Sequence, residues 1–127
     1  EPDDCNGQSG QYNNMCDEAT AVAVYENLMK TGLRMVSPAC RQGAVFNWLD
    51  NFNQLAIQND IRMDVIALHW YDWNGSPQSS PNANPQNIFN RFKNHLNDVY
   101  SLYGLPIWIT EFNANKYRSV EVNRQFM

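Results

Sequence analysis

The sequence predicts an α/β fold built on a parallel sheet. Three apolar runs read as strands: "LRMVS" at 33–37, "MDVIALHWY" at 63–71 and "PIWITEF" at 106–112. Amphipathic segments alternate with these runs, and turn-forming residues separate the two kinds. Near-continuous runs of branched and aromatic residues suit strands covered on both faces. Regular alternation of strand and helix is how such sheets are built.

The first helix is predicted over 17–31, with apolar side chains at Ala21, Val22, Tyr25, Leu28 and Met29 and Gly32 as its left-handed stop. The second, over 45–59, places Val45, Trp48, Leu49, Phe52, Leu55 and Ala56 along one helical face. The third, over 85–103, sets Ile88, Phe89, Phe92, Leu96, Val99, Tyr100 and Tyr103 on one side. Asn84 suits its N-cap, Pro85 its first turn and Gly104 its end. Val120 to Met127 begin a fourth helix, and the Pro/Asn/Ser-rich stretch 74–87 is a long loop after a strand. Strand starts at 33, 63 and 106 recur near the βα repeat length of a (β/α)8 barrel. Such a barrel needs eight strands, so three strands mean either a small open α/β domain or a piece of a barrel.

Length and composition fit one soluble globular domain. A net charge of −4 without a basic patch argues against a nucleic-acid partner. No apolar run approaches the roughly 20 residues that span a bilayer. No glycine-rich loop is present to cradle a nucleotide phosphate. Cys5, Cys16 and Cys40 lack the paired short spacing of a zinc site. An odd count leaves one disulfide plus a free thiol, or a partner outside these residues. Asn74-Gly75-Ser76 is a glycosylation sequon of the kind a secreted protein carries.

The polar groups that interrupt this pattern fall at the carboxyl ends of the apolar runs, the face where α/β folds bind ligands. Glu111 follows Ile107-Trp108-Ile109-Thr110. It is either a charge turned to water at a strand end or a nucleophile or general acid. Glycoside cleavage needs a second carboxylate across the bond. Glu1, next to Pro2, is the candidate; Asp3 and Asp4 read as turn-forming or capping residues. Trp70-Tyr71-Asp72-Trp73 leaves the second strand at the same end and offers flat rings for sugar faces, or else packs in the core. Alternation sends Trp70 and Tyr71 to opposite faces, so one of them points to the site. His69 either orients a carboxylate or sugar hydroxyl, or is a core histidine satisfied by backbone. His95, on the third helix, reads as structural or solvated.

"EPD" at 1–3, "GLRMVSPAC", "WLDNF", "VIALHWY" and "FKNHLNDVYSLYGLPIWITEFN" resemble glycoside hydrolase family 128, the glycosyl hydrolase catalytic core group of β-1,3-glucanases. The resemblance runs from Glu1 to about Asn115, and "YGLPIWITEF" and "ALHWY" are its most specific blocks. It implies a (β/α)8 TIM barrel that cleaves β-1,3-glucan with retention of configuration. Glu1-Pro2 matches the end of the family's Asn-Glu-Pro motif, making Glu1 the acid/base. Glu111 in Thr-Glu-Phe matches the nucleophile. His69, Trp70, Tyr71, Trp73 and Asn113 are then expected to bind substrate. The 38–44 turn and the 72–85 loop are expected to shape the cleft.

On this alignment residues 1–127 are a fragment of a single catalytic domain, from about the end of strand four to the start of helix seven. Strands one to four and eight, and the Asn before Glu1, are expected to lie outside it. Cys5 and Cys16 then follow the fourth strand and Cys40 the fifth, and Cys5–Cys16 is the expected disulfide. The resemblance further implies no metal or cofactor, a β-glucan polysaccharide or oligosaccharide as partner, a monomer when full length, and a secreted or cell-wall location. The fragment alone is expected to be inactive on laminarin and to unfold with poor cooperativity. Two readings compete: a non-catalytic carbohydrate-binding or wall-associated protein of the same fold, and a retaining glycosidase for another linkage.

Overall fold

A computed structural model describes residues 1–127. Its sheet pairs two parallel strands, β1 (Ile66–Tyr71) and β2 (Ile107–Asn113). Four helices accompany them: α1 (Glu18–Met29), α2 (Trp48–Gln58), α3 (Pro85–Tyr103) and α4 (Val120–Phe126). The helix α3 crosses from the end of β1 to the start of β2, the connection that parallel pairing requires. The α/β class is as expected.

The boundaries of α3 fall where its capping residues predict. Asn84 Oδ1 accepts from the Gln86 amide at 2.8 Å and the Asn87 amide at 3.4 Å. Gly104 ends the helix at φ 63°, a conformation that costs glycine little. Helix α1 starts behind Asp17, whose carboxylate accepts from the Thr20 amide at 2.8 Å. The predicted 45–59 helix is instead two pieces, a 3-10 turn at Gln42–Phe46 and then α2. Asn47 stands at the break, its side chain accepting from the Trp48 amide, as a residue that competes with the helical backbone does. Of the apolar helix positions, Leu28, Phe89 and Tyr100 are exposed rather than packed.

The predicted strand at 33–37 is reduced to isolated parallel bridges, Val36 to Val65 and Cys40 to Leu68. Pro38 has no amide to donate, which interrupts a ladder. The Ser37 hydroxyl takes the place of a backbone acceptor, receiving the Ala67 amide at 2.9 Å. The segment still lies along β1, because the Ser37 amide donates to Val65 O at 2.9 Å and the His69 amide to Cys40 O at 3.1 Å.

The core lies between β1 and the helices. Leu49, Phe52 and Ala56 of α2 meet Ile66 and Leu68 of β1, with Ile88 and Val99 of α3, all fully buried. Trp48 stacks on Phe52 at 5.7 Å between centroids, and Tyr25 meets Phe52 edge-on at 4.9 Å. β1 is covered as predicted, but β2 is not. Trp108 is 55% exposed and Phe112 is exposed as well, because β2 is an edge strand with no partner beyond it. No helix is long and apolar enough to cross a membrane. Cys5 and Cys16 form a disulfide and Cys40 is a buried free thiol, the expected pairing.

His95 is structural. It is buried on α3, meets Phe46 edge-on at 5.4 Å, and its Nε2 has no partner. Burial lowers its pKa, partly offset by Asp98. The unfolded chain therefore binds a proton that the folded chain resists, so stability is full above the unfolded value of about 6.5 and falls as pH drops below it. His95→Phe, which keeps the aromatic edge and removes the orphaned nitrogen, is expected to flatten that fall. Urea unfolding at pH 7.5 and pH 5.5 measures it, and an unchanged slope would assign the acid loss to other groups.

Candidate active site

The site lies at the carboxyl end of the sheet, and a bulge in β2 makes it. Ile66 and Leu68 pair with Ile107 and Ile109, then the register slips and His69 pairs with Glu111. Thr110 is the extra residue, and its hydroxyl donates to Leu68 O at 3.3 Å across the gap. Plain alternation would send Glu111 to the same side as Ile109, toward the helices. The slip moves every later side chain of β2 to the opposite face. Glu111 therefore stands beside His69, while Phe112 turns to the helices and stacks on Phe92 at 5.9 Å.

Glu1 completes the group. His69 Nδ1 lies 2.8 Å from Glu1 Oε1 and 3.5 Å from Glu111 Oε2. With Glu1 ionised, the ring must carry its proton on Nδ1; with Glu1 protonated, the carboxyl donates to it. Tyr71 OH donates to Glu111 Oε2 at 2.7 Å. That bond, reinforced by partial burial and the charge of Glu111, pushes the phenol up to about 12, so Tyr71 stays a donor. One oxygen from each carboxylate and the imidazole nitrogen all lie within 4.8 Å of one another. Three such donors would also suit a cation, and this is the one cluster on the chain with that spacing.

Close packing fixes Glu1. Gly10 is buried against the Pro2–Asp4 backbone; a Cβ there would fall within contact distance of the Pro2 and Asp4 carbonyl oxygens and 2.7 Å from the Asp4 carbonyl carbon. Asp3 lies within the turn closed by the Asp4 amide on Glu1 O at 3.3 Å, and its side chain is the acceptor for Arg41, at 2.6 Å to Nε and 3.1 Å to the backbone amide. Arg41 Nη2 also donates to Asp3 O at 2.9 Å. This joins the Glu1 segment to the 38–44 turn. Asp4 does form a turn, its Oδ1 accepting from the Asn6 amide at 3.2 Å.

A cleft of about 670 Å³ opens over these groups. Glu1, His69, Tyr71 and Glu111 line it, together with Trp73 and Asn74 of the loop after β1. Gln8 and the 38–44 turn, through Arg41, Gln42 and Gly43, complete the lining. The sequence reading named the 38–44 turn but not Arg41 or Gln42. The signal available was two polar side chains in a turn just past a strand end. It missed Gln8 altogether.

Two of the expected binding residues are elsewhere. Trp70 is in the core, 1% exposed, against Phe92 at 4.9 Å and Phe126 at 5.5 Å; alternation made Tyr71 the residue that faces the cleft. The Gln42 amide, turned to satisfy both its ends, accepts from Trp70 Nε1 at 3.1 Å and donates to Tyr71 O at 2.7 Å. Asn113 shares the strand end with Tyr71 but does not line the cleft; its Oδ1 accepts from the Asn115 amide at 2.5 Å and shapes the turn.

The chain belongs to the glycosyl hydrolase catalytic core family, which it matches over residues 1–127. It is similar to a family 128 (subgroup I) endo-β-1,3-glucanase from Amycolatopsis mediterranei solved with laminaritriose. That match is 28% identical with a TM-score of 0.74, and covers 99% of this chain and 50% of that one. A glutamate-to-glutamine variant of the same enzyme, solved with laminarihexaose, matches at 29% identity and a TM-score of 0.76 over the same shares. Alkali-sensitive linkage protein 1 of Schizosaccharomyces pombe is 28% identical over 116 residues, 82% of this chain and 17% of that protein. The chain thus spans half the length of the solved glucanase and less than a fifth of the curated relative.

Proposed function

We propose that these residues belong to a retaining glycoside hydrolase that cleaves β-1,3-glucan by double displacement. The observation that carries this is the pair of carboxylates, Glu1 and Glu111, with oxygens within 4.8 Å of each other at the carboxyl end of a parallel sheet. Carboxyl groups about 5–5.5 Å apart suit a covalent intermediate, whereas an inverting site leaves about 6.5–9.5 Å for a water. The similar glucanase was solved with β-1,3-gluco-oligosaccharides and with glutamates replaced, which supports the substrate class.

In this reading the Glu111 carboxylate attacks the anomeric carbon as the glycosidic bond breaks, and Glu1 gives its proton to the leaving oxygen. Glu1, now a carboxylate, takes a proton from water; that water attacks the anomeric carbon and releases Glu111. Tyr71 holds one oxygen of Glu111, which leaves the other for attack. His69 is a positioning residue, bridging the two carboxylates from one side. Trp73 offers a sugar-stacking face at the cleft lip.

We further propose that the sheet is half of a (β/α)8 barrel. The TM-scores against half of the solved glucanase support it, as do the open edge of β2 and the exposed Trp108 on the same face as Glu111, both of which a closed barrel would cover. A secreted or cell-wall setting fits the disulfide and the wall-linkage relative. The full-length protein is expected to act as a monomer. Proton NMR of the first products from a β-1,3-glucan tests the mechanism: the β-anomer should appear before mutarotation, and initial α-anomer would overturn retention.

A further inference from the structure

The 38–44 turn reaches the site through two neighbouring residues. Cys40, fully buried, accepts the His69 amide on its carbonyl oxygen at 3.1 Å. The next residue, Arg41, grips the Glu1 turn. Its Nε lies 2.6 Å from Asp3 Oδ2, its amide 3.1 Å from Asp3 Oδ1, and its Nη2 2.9 Å from Asp3 O. Nη1 adds a longer contact to Asp4 Oδ2 at 3.8 Å. The circuit closes in the cleft, where His69 Nδ1 meets Glu1 Oε1 at 2.8 Å. It runs from Glu1 along the chain to Asp3, across to Arg41, back one residue to Cys40, across to His69, and from the imidazole to Glu1 again.

The parts of this circuit are held in different ways. The β1–β2 register sets His69 against Glu111. Glu1 lies on neither strand, and the Asp3–Arg41 contact is the polar tie between its turn and the segment bonded to β1. The Asp3 side chain is only 1% exposed. A carboxylate buried that far gains from its partner about what leaving water costs it, so the pair is better suited to fixing a position than to adding stability. The geometry fits that use. Asp3 is held by side chain and main chain together, so it can neither slide nor rotate without breaking a bond. A guanidinium meets Asp3 Oδ2 and Asp3 O from one rigid plane, which a lysine ammonium does not.

We infer that Arg41 is a positioning residue for Glu1, acting through Asp3 to fix where the acid/base carboxyl stands against His69 and the bond to be broken. This rests on the glucanase reading above, in which Glu1 protonates the leaving oxygen. A shift of about 1 Å in a group that transfers a proton costs on the order of 10²-fold in rate.

The test compares two substrates of the full-length protein by kcat/KM, which covers the steps up to the glycosyl-enzyme. Laminarihexaose releases a sugar alcohol whose oxygen needs the proton; 2,4-dinitrophenyl β-laminaribioside releases a phenolate that leaves without one. Rates are taken per competent molecule, counted by the dinitrophenolate burst of the first turnover. Arg41→Met should lower kcat/KM about 10- to 100-fold on laminarihexaose and less than about 3-fold on the dinitrophenyl glycoside. Asp3→Asn should give the same contrast, and the double variant should lose no more than the worse single one, because both act on one contact. Equal losses on the two substrates, as from a residue that only binds glucan in the cleft, would overturn the inference, and so would no loss on either. Additive losses in the double variant would overturn the route through Asp3. Glu1→Ala is the reference: if it shows no contrast while the parent cleaves both substrates, the acid role of Glu1 falls and the inference with it. A parent that cleaves neither substrate would overturn the glucanase reading itself.

Discussion

Replacing Glu111 by Gln in the full-length protein is expected to lower β-1,3-glucan hydrolysis by more than about 10³-fold, the scale of loss when an obligatory covalent nucleophile is removed. Gln is isosteric, and its amide oxygen can still accept from Tyr71 OH, which lies 2.7 Å from Glu111 Oε2. The substitution therefore removes the nucleophile and little else. Affinity for laminarihexaose should stay within about 3-fold, because uniform binding does not depend on the reacting oxygen. Reducing-sugar release and a binding isotherm on the same preparation separate the two. A variant that keeps full turnover would remove Glu111 from the chemistry. A parent without turnover, and a variant that binds glucan equally well, would favour the binding-protein reading. Loss of binding along with turnover would point to damage beyond the nucleophile.

The bulge explains how much of this site could be read from the sequence. Glu111 was legible as a carboxylate ending an apolar run, but its direction was not. Counting alternately from Ile107 sends it to the helix side, and nothing in "IWITEFN" announces that Thr110 is the unpaired residue. Register belongs to the strand pair, not to either strand alone. The same holds for the 33–37 run. Its composition is strand-like, yet its last residue Ser37 and the following Pro38 replace the ladder with a side-chain acceptor and a missing donor. Helix α3, by contrast, was legible to its ends, because Asn84, Pro85 and Gly104 act through local backbone chemistry that needs no partner. Asp3 was legible as a turn residue, but its ion pair was not, for the converse reason. Its partner Arg41 lies 38 residues away, and only the folded chain brings the two together.

Asp72→Asn is expected to cost about 3–5 kcal/mol of folding stability, the range for breaking a buried charge pair by removing one partner. The Asp72 and Arg118 side chains are fully buried, so losing the carboxylate leaves a cation in a place water does not reach. Asn keeps one acceptor but sets its amide against the donors of Arg118 or Arg91. The carbonyls of Asn74 and Ser80 still receive Arg118, yet they carry no net charge to offset it. Arg91→Met should cost less, because Arg91 is about a third exposed and Asp72 keeps Arg118 when it goes. Urea unfolding of the full-length variants measures both, as a lower midpoint with an unchanged slope. A cost for Asp72→Asn below about 1 kcal/mol is what an exposed ion pair gives. It would mean that water reaches the pair, and that the loops carrying Trp73 and Tyr117 are held by their backbone bonds instead. A large cost from Asp72→Asn with a small one from Arg91→Met would locate the clamp between Asp72 and Arg118, which joins the loop after β1 to the loop after β2.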